Sequence, residues 1–66
     1  MTYFWVFHNN ELYCTFDRGF SASEVPDHAL IYHREGGWST CCKGTVTNLE
    51  AKDIPPEIRA KALLLS

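Results

Sequence analysis

Basic residues are few and dispersed. Lys and Arg number six, at Arg18, Arg34, Lys43, Lys52, Arg59 and Lys61, and the formal net charge is −2. No basic stripe exists to neutralise a run of phosphates, so charge disfavours direct nucleic-acid binding. Long hydrophobic runs are also missing. Nothing approaches the roughly 20 apolar residues that a bilayer-crossing helix requires, and a soluble protein is expected. The apolar opening from Met1 to Phe7 is short, lacks a basic n-region and leads into His8-Asn9-Asn10. It reads as a strand and not as a signal peptide. Cysteine is limited to three residues, an odd number, which points to free thiols in a reducing compartment and hence to the cytoplasm.

What is present is a composition that folds. Hydrophobic residues make up 45% and charged residues 21% of 66 residues, enough for one modest core in one domain spanning 1–66. A chain of this size buries only about 60% of the surface that its unfolded form exposes, so its margin of stability is thin.

Aromatic and β-branched residues fill 2–8 and 11–17 on either side of Asn9-Asn10, and Asn tolerates the positive φ of a tight turn. With a two-residue loop, Phe7 faces Leu12, Trp5 faces Cys14 and Tyr3 faces Phe16 on the core side. Phe4, Val6, Tyr13 and Thr15 then occupy the opposite side, with His8 facing Glu11. Ser21-Ala22-Ser23-Glu24 has capping-box spacing, but Pro26 limits it to about one turn of helix. Residues 29–34 and 38–48 read as two further strands around Glu35-Gly36-Gly37, with Gly44 marking a bulge. Pro55-Pro56-Glu57 opens a helix over 55–65 that presents Ile58, Ala62 and Leu65 on one face. The expected architecture is therefore α+β: a four-stranded antiparallel sheet from two β-hairpins with one C-terminal helix packed on one face. Trp5, Phe7, Leu12, Phe16, Ile31, Ile58 and Leu65 are its expected core.

Metal-ligand chemistry is confined to Cys14, Cys41 and Cys42 with His8, His28 and His33. A structural zinc site needs four inward ligands, commonly as spaced pairs, whereas adjacent Cys41 and Cys42 in a strand point to opposite faces. The run from Trp38 to Lys43, with His33 upstream, resembles the Trp-Ser-Cys-Cys stretch of the zinc-binding CHORD family. Thr40 interrupts that stretch and the family's other cysteines are absent, so membership is not assigned. No metal or other cofactor is expected. Cys42 and His33 are the nearest approach to a nucleophile and base, across the second hairpin, but a domain this thin leaves little volume for a pocket. No enzymatic activity is expected.

The aromatics point elsewhere. The first strand is apolar on both faces, and one amphipathic helix covers only one of them. The other face is covered by the segment 18–28, by a second copy, or by another protein. The favoured reading is a non-catalytic interaction module, an accessory or inhibitory protein of bacterial or phage type that binds and modulates a protein complex. Phe4, Val6, Tyr13 and Trp38 form its expected binding surface, and a homodimer is one form such binding takes. A small zinc-binding protein using Cys41 or Cys42 with histidines is the alternative. A single-stranded nucleic-acid binder stacking bases on Trp5, Tyr13 or Trp38 is a second one, disfavoured by charge.

Overall fold

A computed structural model describes residues 3–65. Thr2, the expected first residue of the opening strand, lies outside them. The chain runs through β1 (Phe4–His8), β2 (Glu11–Phe16), β3 (Leu30–His33), β4 (Trp38–Cys42), β5 (Thr45–Leu49) and α1 (Pro56–Leu65), with single 3-10 turns at Ala22–Glu24 and Ala51–Asp53. The fold is α+β, with a five-stranded antiparallel sheet in the order β2-β1-β3-β4-β5 and a C-terminal helix.

The fifth strand corrects the expectation of one long strand over 38–48. Lys43 and Gly44 have φ of 51° and 77°, so the chain reverses there and Cys42 pairs with Thr45. Gly44 makes a turn where a bulge was expected, because two successive positive-φ residues form the tight reversal whose twist suits a hairpin. Asn9 and Asn10, with φ of 53° and 65°, make the same kind of reversal between β1 and β2.

A bulge does occur, in β2. Phe7 pairs with Leu12 and His8 with Glu11, but Val6 pairs with Cys14, leaving Tyr13 without an opposite residue. One extra residue shifts everything beyond it, so Trp5 lies opposite Thr15 and Phe4 opposite Phe16. Cys14 and Phe16 therefore lie on the Val6 side, where the two-residue loop alone would have put them on the Trp5 side.

The sheet carries a core on each face. On one, α1 buries Ile58 and Ala62, one helical turn apart, with Ile54 leading in, against Trp5, Phe7 and Trp38. Pro56 is the first helical residue, where the missing N–H is harmless, and Glu57 follows at the positive end of the dipole. On the other face Phe4, Val6, Ile31 and Cys41 pack with Val25 and Ala29 from the segment between β2 and β3. That segment also brings Phe20 against Phe4 and Phe16, with ring centroids 5.0 and 5.1 Å apart. Polar contacts fasten it. The His28 N–H donates to the Cys41 carbonyl at 2.6 Å, Thr40 Oγ1 to the Ala29 carbonyl at 2.8 Å, and the Lys43 N–H to Asp27 Oδ1 at 3.1 Å. At its start, Glu24 accepts from the Ser21 N–H at 3.1 Å and from Arg18 at 3.0 Å.

Of the expected core, Trp5, Phe7, Ile31 and Ile58 are buried and Phe16 is half-buried. Leu12 and Leu65 are not: each is 45% exposed. Leu12 sits on an edge strand, and Leu65 lies in the last turn of α1, where the two line opposite sides of a groove without closing it.

Candidate interaction surface

The four residues expected to form one binding surface are dispersed. Phe4 and Val6 are buried beneath the segment that carries Phe20 and Val25, and Trp38 is buried on the other face beneath α1. Only Tyr13 is on the surface, 58% exposed, because the bulge lifts it out of the ladder. Its ring meets His8 edge-on, with centroids 5.9 Å apart.

Apolar surface outside the two cores gathers instead where α1 ends beside β2. Phe7, Leu12, Leu64 and Leu65 line a groove of about 380 Å³, with Glu11 and Lys61 on its rim. Leu64 is 88% exposed. The Lys61 ammonium donates to the Asn10 carbonyl, which ties the helix to the β1–β2 turn and holds the groove walls together. Leu12 stands on the groove side of β2 and Tyr13 follows it in sequence at the bulge, so apolar contact surface is available on both sides of one edge strand. Residues 63–65 read in sequence as three helical leucines, of which Leu65 belonged to the expected core. Their exposure depends on where the sheet stops under the helix, and the hydrophobic pattern does not encode that.

Two other depressions have different chemistry. One of about 230 Å³ lies among Tyr32, Trp38, Arg59 and Ala62, and one of about 320 Å³ among Tyr3, Trp5, Arg34 and Leu65.

The thiols and histidines do not converge. Cys41 is buried on the face that carries Val6, whereas Cys42, its neighbour in β4, projects to the other face. Leu30 pairs with Thr40 and Tyr32 with Trp38, which sets His33 and Cys42 at opposite ends of the β3–β4 ladder and corrects their expected adjacency. His33 instead bonds through Nε2 to Ser39 Oγ at 2.9 Å, and Ser39 Oγ reaches Asn48 Oδ1 at 3.4 Å. Among the described residues, no group of three or more His, Cys, Asp and Glu side chains is placed to hold a metal ion. All three cysteines are free. Desolvation, aided by the nearby Glu24 carboxylate, raises the Cys14 pKa above the usual thiol value, which favours the protonated form over the nucleophilic thiolate. No helix among the described residues is long and apolar enough to cross a membrane.

No protein-family model matches the chain, and no curated protein or solved structure gives a significant match.

Proposed function

We propose that the protein is a non-catalytic interaction module that docks another protein at the groove between the end of α1 and β2. The observation that carries this reading is the apolar groove itself, which opens beside the helix-side core at Phe7 and leaves Leu12, Leu64 and Leu65 in contact with water. Apolar surface costs about 25 cal/mol for each Å² left in water, so an incoming apolar side chain that fills the groove gains affinity directly. Tyr13 widens the footprint across the β2 edge and supplies an aromatic anchor, a residue type that often dominates binding energy. Glu11 and Lys61 give the rim one charge of each sign and so set orientation more than affinity. The protein then modulates its target by occupying a surface, as an accessory or inhibitory protein does. Free thiols suit a reducing compartment such as the bacterial cytoplasm.

The test is a comparative capture from bacterial extract with the parent, Leu64→Glu and Tyr13→Ala, each first shown to melt as the parent does. The captured protein is then purified and titrated against all three. Leu64→Glu is expected to weaken binding roughly 30-fold or more and Tyr13→Ala roughly tenfold. Equal affinity of the parent and both variants overturns this surface assignment.

A further inference from the structure

The two outer strands of the sheet are built differently. β2 carries Glu11, is bulged at Tyr13 and is followed by Asp17-Arg18, all features that discourage strand addition. β5 is flanked by Lys43 and Glu50, but within the strand Thr45-Val46-Thr47-Asn48-Leu49 holds no charge, no proline and no bulge. Residues 45–48 are all exposed, and only Leu49, at the end of the strand, packs against the helix-side core.

Its outward hydrogen-bonding groups follow from the register. The two-residue turn at Lys43-Gly44 makes Cys42–Thr45 the first hydrogen-bonded pair. Bonded and non-bonded pairs alternate in an antiparallel ladder, so Thr40–Thr47 and Trp38–Leu49 are bonded inward as well. Val46 and Asn48 therefore turn their N–H and C=O groups away from β4, towards the open side.

We infer that this open side pairs antiparallel with β5 of a second copy of the chain, about a two-fold axis at Thr47, to form one continuous sheet across both copies. A two-fold contact requires one surface to complement itself. Here Val46 of each copy meets Asn48 of the other, each of those pairs exchanging both of its N–H···O bonds, and the two Thr47 side chains face each other at the axis. Charge favours the same arrangement. Antiparallel pairing about Thr47 sets Gly44 of one copy opposite the exposed Glu50 of the other, with the exposed Lys43 one position beyond it, so opposite charges neighbour each other at both ends of the contact, whereas a parallel pairing sets like ends together. Glu50 already binds Lys52 of its own chain at 3.2 Å, so the incoming lysine joins an existing exposed ion pair. A net charge of −2 leaves little repulsion between copies. One short edge buries less than the roughly 1,200 Å² of a stable interface, so the dimer dissociates on dilution.

Sedimentation equilibrium over a concentration series up to about 1 mM should show the mean mass rising from one chain towards two. Amide exchange of the parent should show Val46 and Asn48 gaining protection with concentration while the amides of β2 do not. Thr47→Lys sets two ammonium groups opposite each other and is expected to raise the dissociation constant at least tenfold, as is Thr47→Asp. An equimolar mixture of the two variants should recover the dimer as a heterodimer. Leu64→Glu, at the groove, should dimerise as the parent does. A parent that stays monomeric throughout overturns the inference. So does a dimer that survives Thr47→Lys, that disappears in Leu64→Glu, or that forms without protection at Val46 and Asn48.

Discussion

The two faces of the sheet reach similar burial by different means. On the helix face, α1 supplies Ile58 and Ala62 from a segment whose own backbone groups bond within it, so burial needs little help from elsewhere. On the other face, the irregular stretch from Asp17 to Ala29 covers Phe4, Val6 and Ile31, and its backbone must find partners individually. The His28 N–H finds the Cys41 carbonyl and the Ala29 carbonyl finds the Thr40 hydroxyl, both in β4, while the segment's own Asp27 carboxylate accepts from the Lys43 N–H of the β4–β5 turn. An irregular segment thus works as a core layer when polar latches at its ends hold its aromatic and aliphatic residues down. The helix does so mainly through the spacing of its apolar residues, with one side-chain tie from Lys61 to the Asn10 carbonyl.

The largest expected effect lies on the helix face. Ile58→Ala should cost about 2–5 kcal/mol and Trp5→Ala about 3–5 kcal/mol, most of the stability of a small domain, read by urea denaturation. A variant that unfolded at the parent's midpoint would remove the basis for treating that face as the main core. A smaller and local effect is expected opposite. Phe20 is half-buried, and Phe20→Ala should cost about 1 kcal/mol while speeding amide exchange through residues 20–29 and leaving α1 protected. Equal loss of protection in α1 would show that the two faces open together and not separately.

The smallest effect concerns Glu24. Its bond from the Ser21 N–H, with help from Arg18, holds the carboxyl below the ordinary carboxylate value. A carboxyl with a lowered folded-state pKa contributes stability above its unfolded value of about 4.3 and loses it as pH falls through the folded value. Acidification below about pH 4 should therefore perturb the Ser21 and Ala22 amide resonances, and Glu24→Gln should abolish that response. An identical titration in the variant would place the acid sensitivity elsewhere.

Much of the architecture is legible in the residues. Asn9-Asn10 marks one reversal, Pro55-Pro56 starts the helix, and the doubly apolar first strand announces a sheet covered on both sides. Two features escape such a reading. Lys43-Gly44 hides a turn because lysine seldom adopts positive φ, and Tyr13 gives no local sign that it will be the extra residue in β2. That bulge decides which of Cys14, Thr15 and Phe16 faces which core, so one unmarked residue reassigns half a strand.

The candidate surface divides in the same way. The sequence by itself determined that Phe4 and Val6 must be covered, because their apolar side chains share a strand with Trp5 and Phe7 and alternate across the sheet. Only the tertiary structure decided that the segment from Asp17 to Ala29 provides the cover, that Tyr13 stays outside, and that Leu12, Leu64 and Leu65 meet at an open groove. Alternation is a property of the local backbone, fixed by its dihedral angles. Which distant residues arrive to fill a face depends on register, strand count and helix reach, and these emerge only when the whole chain packs.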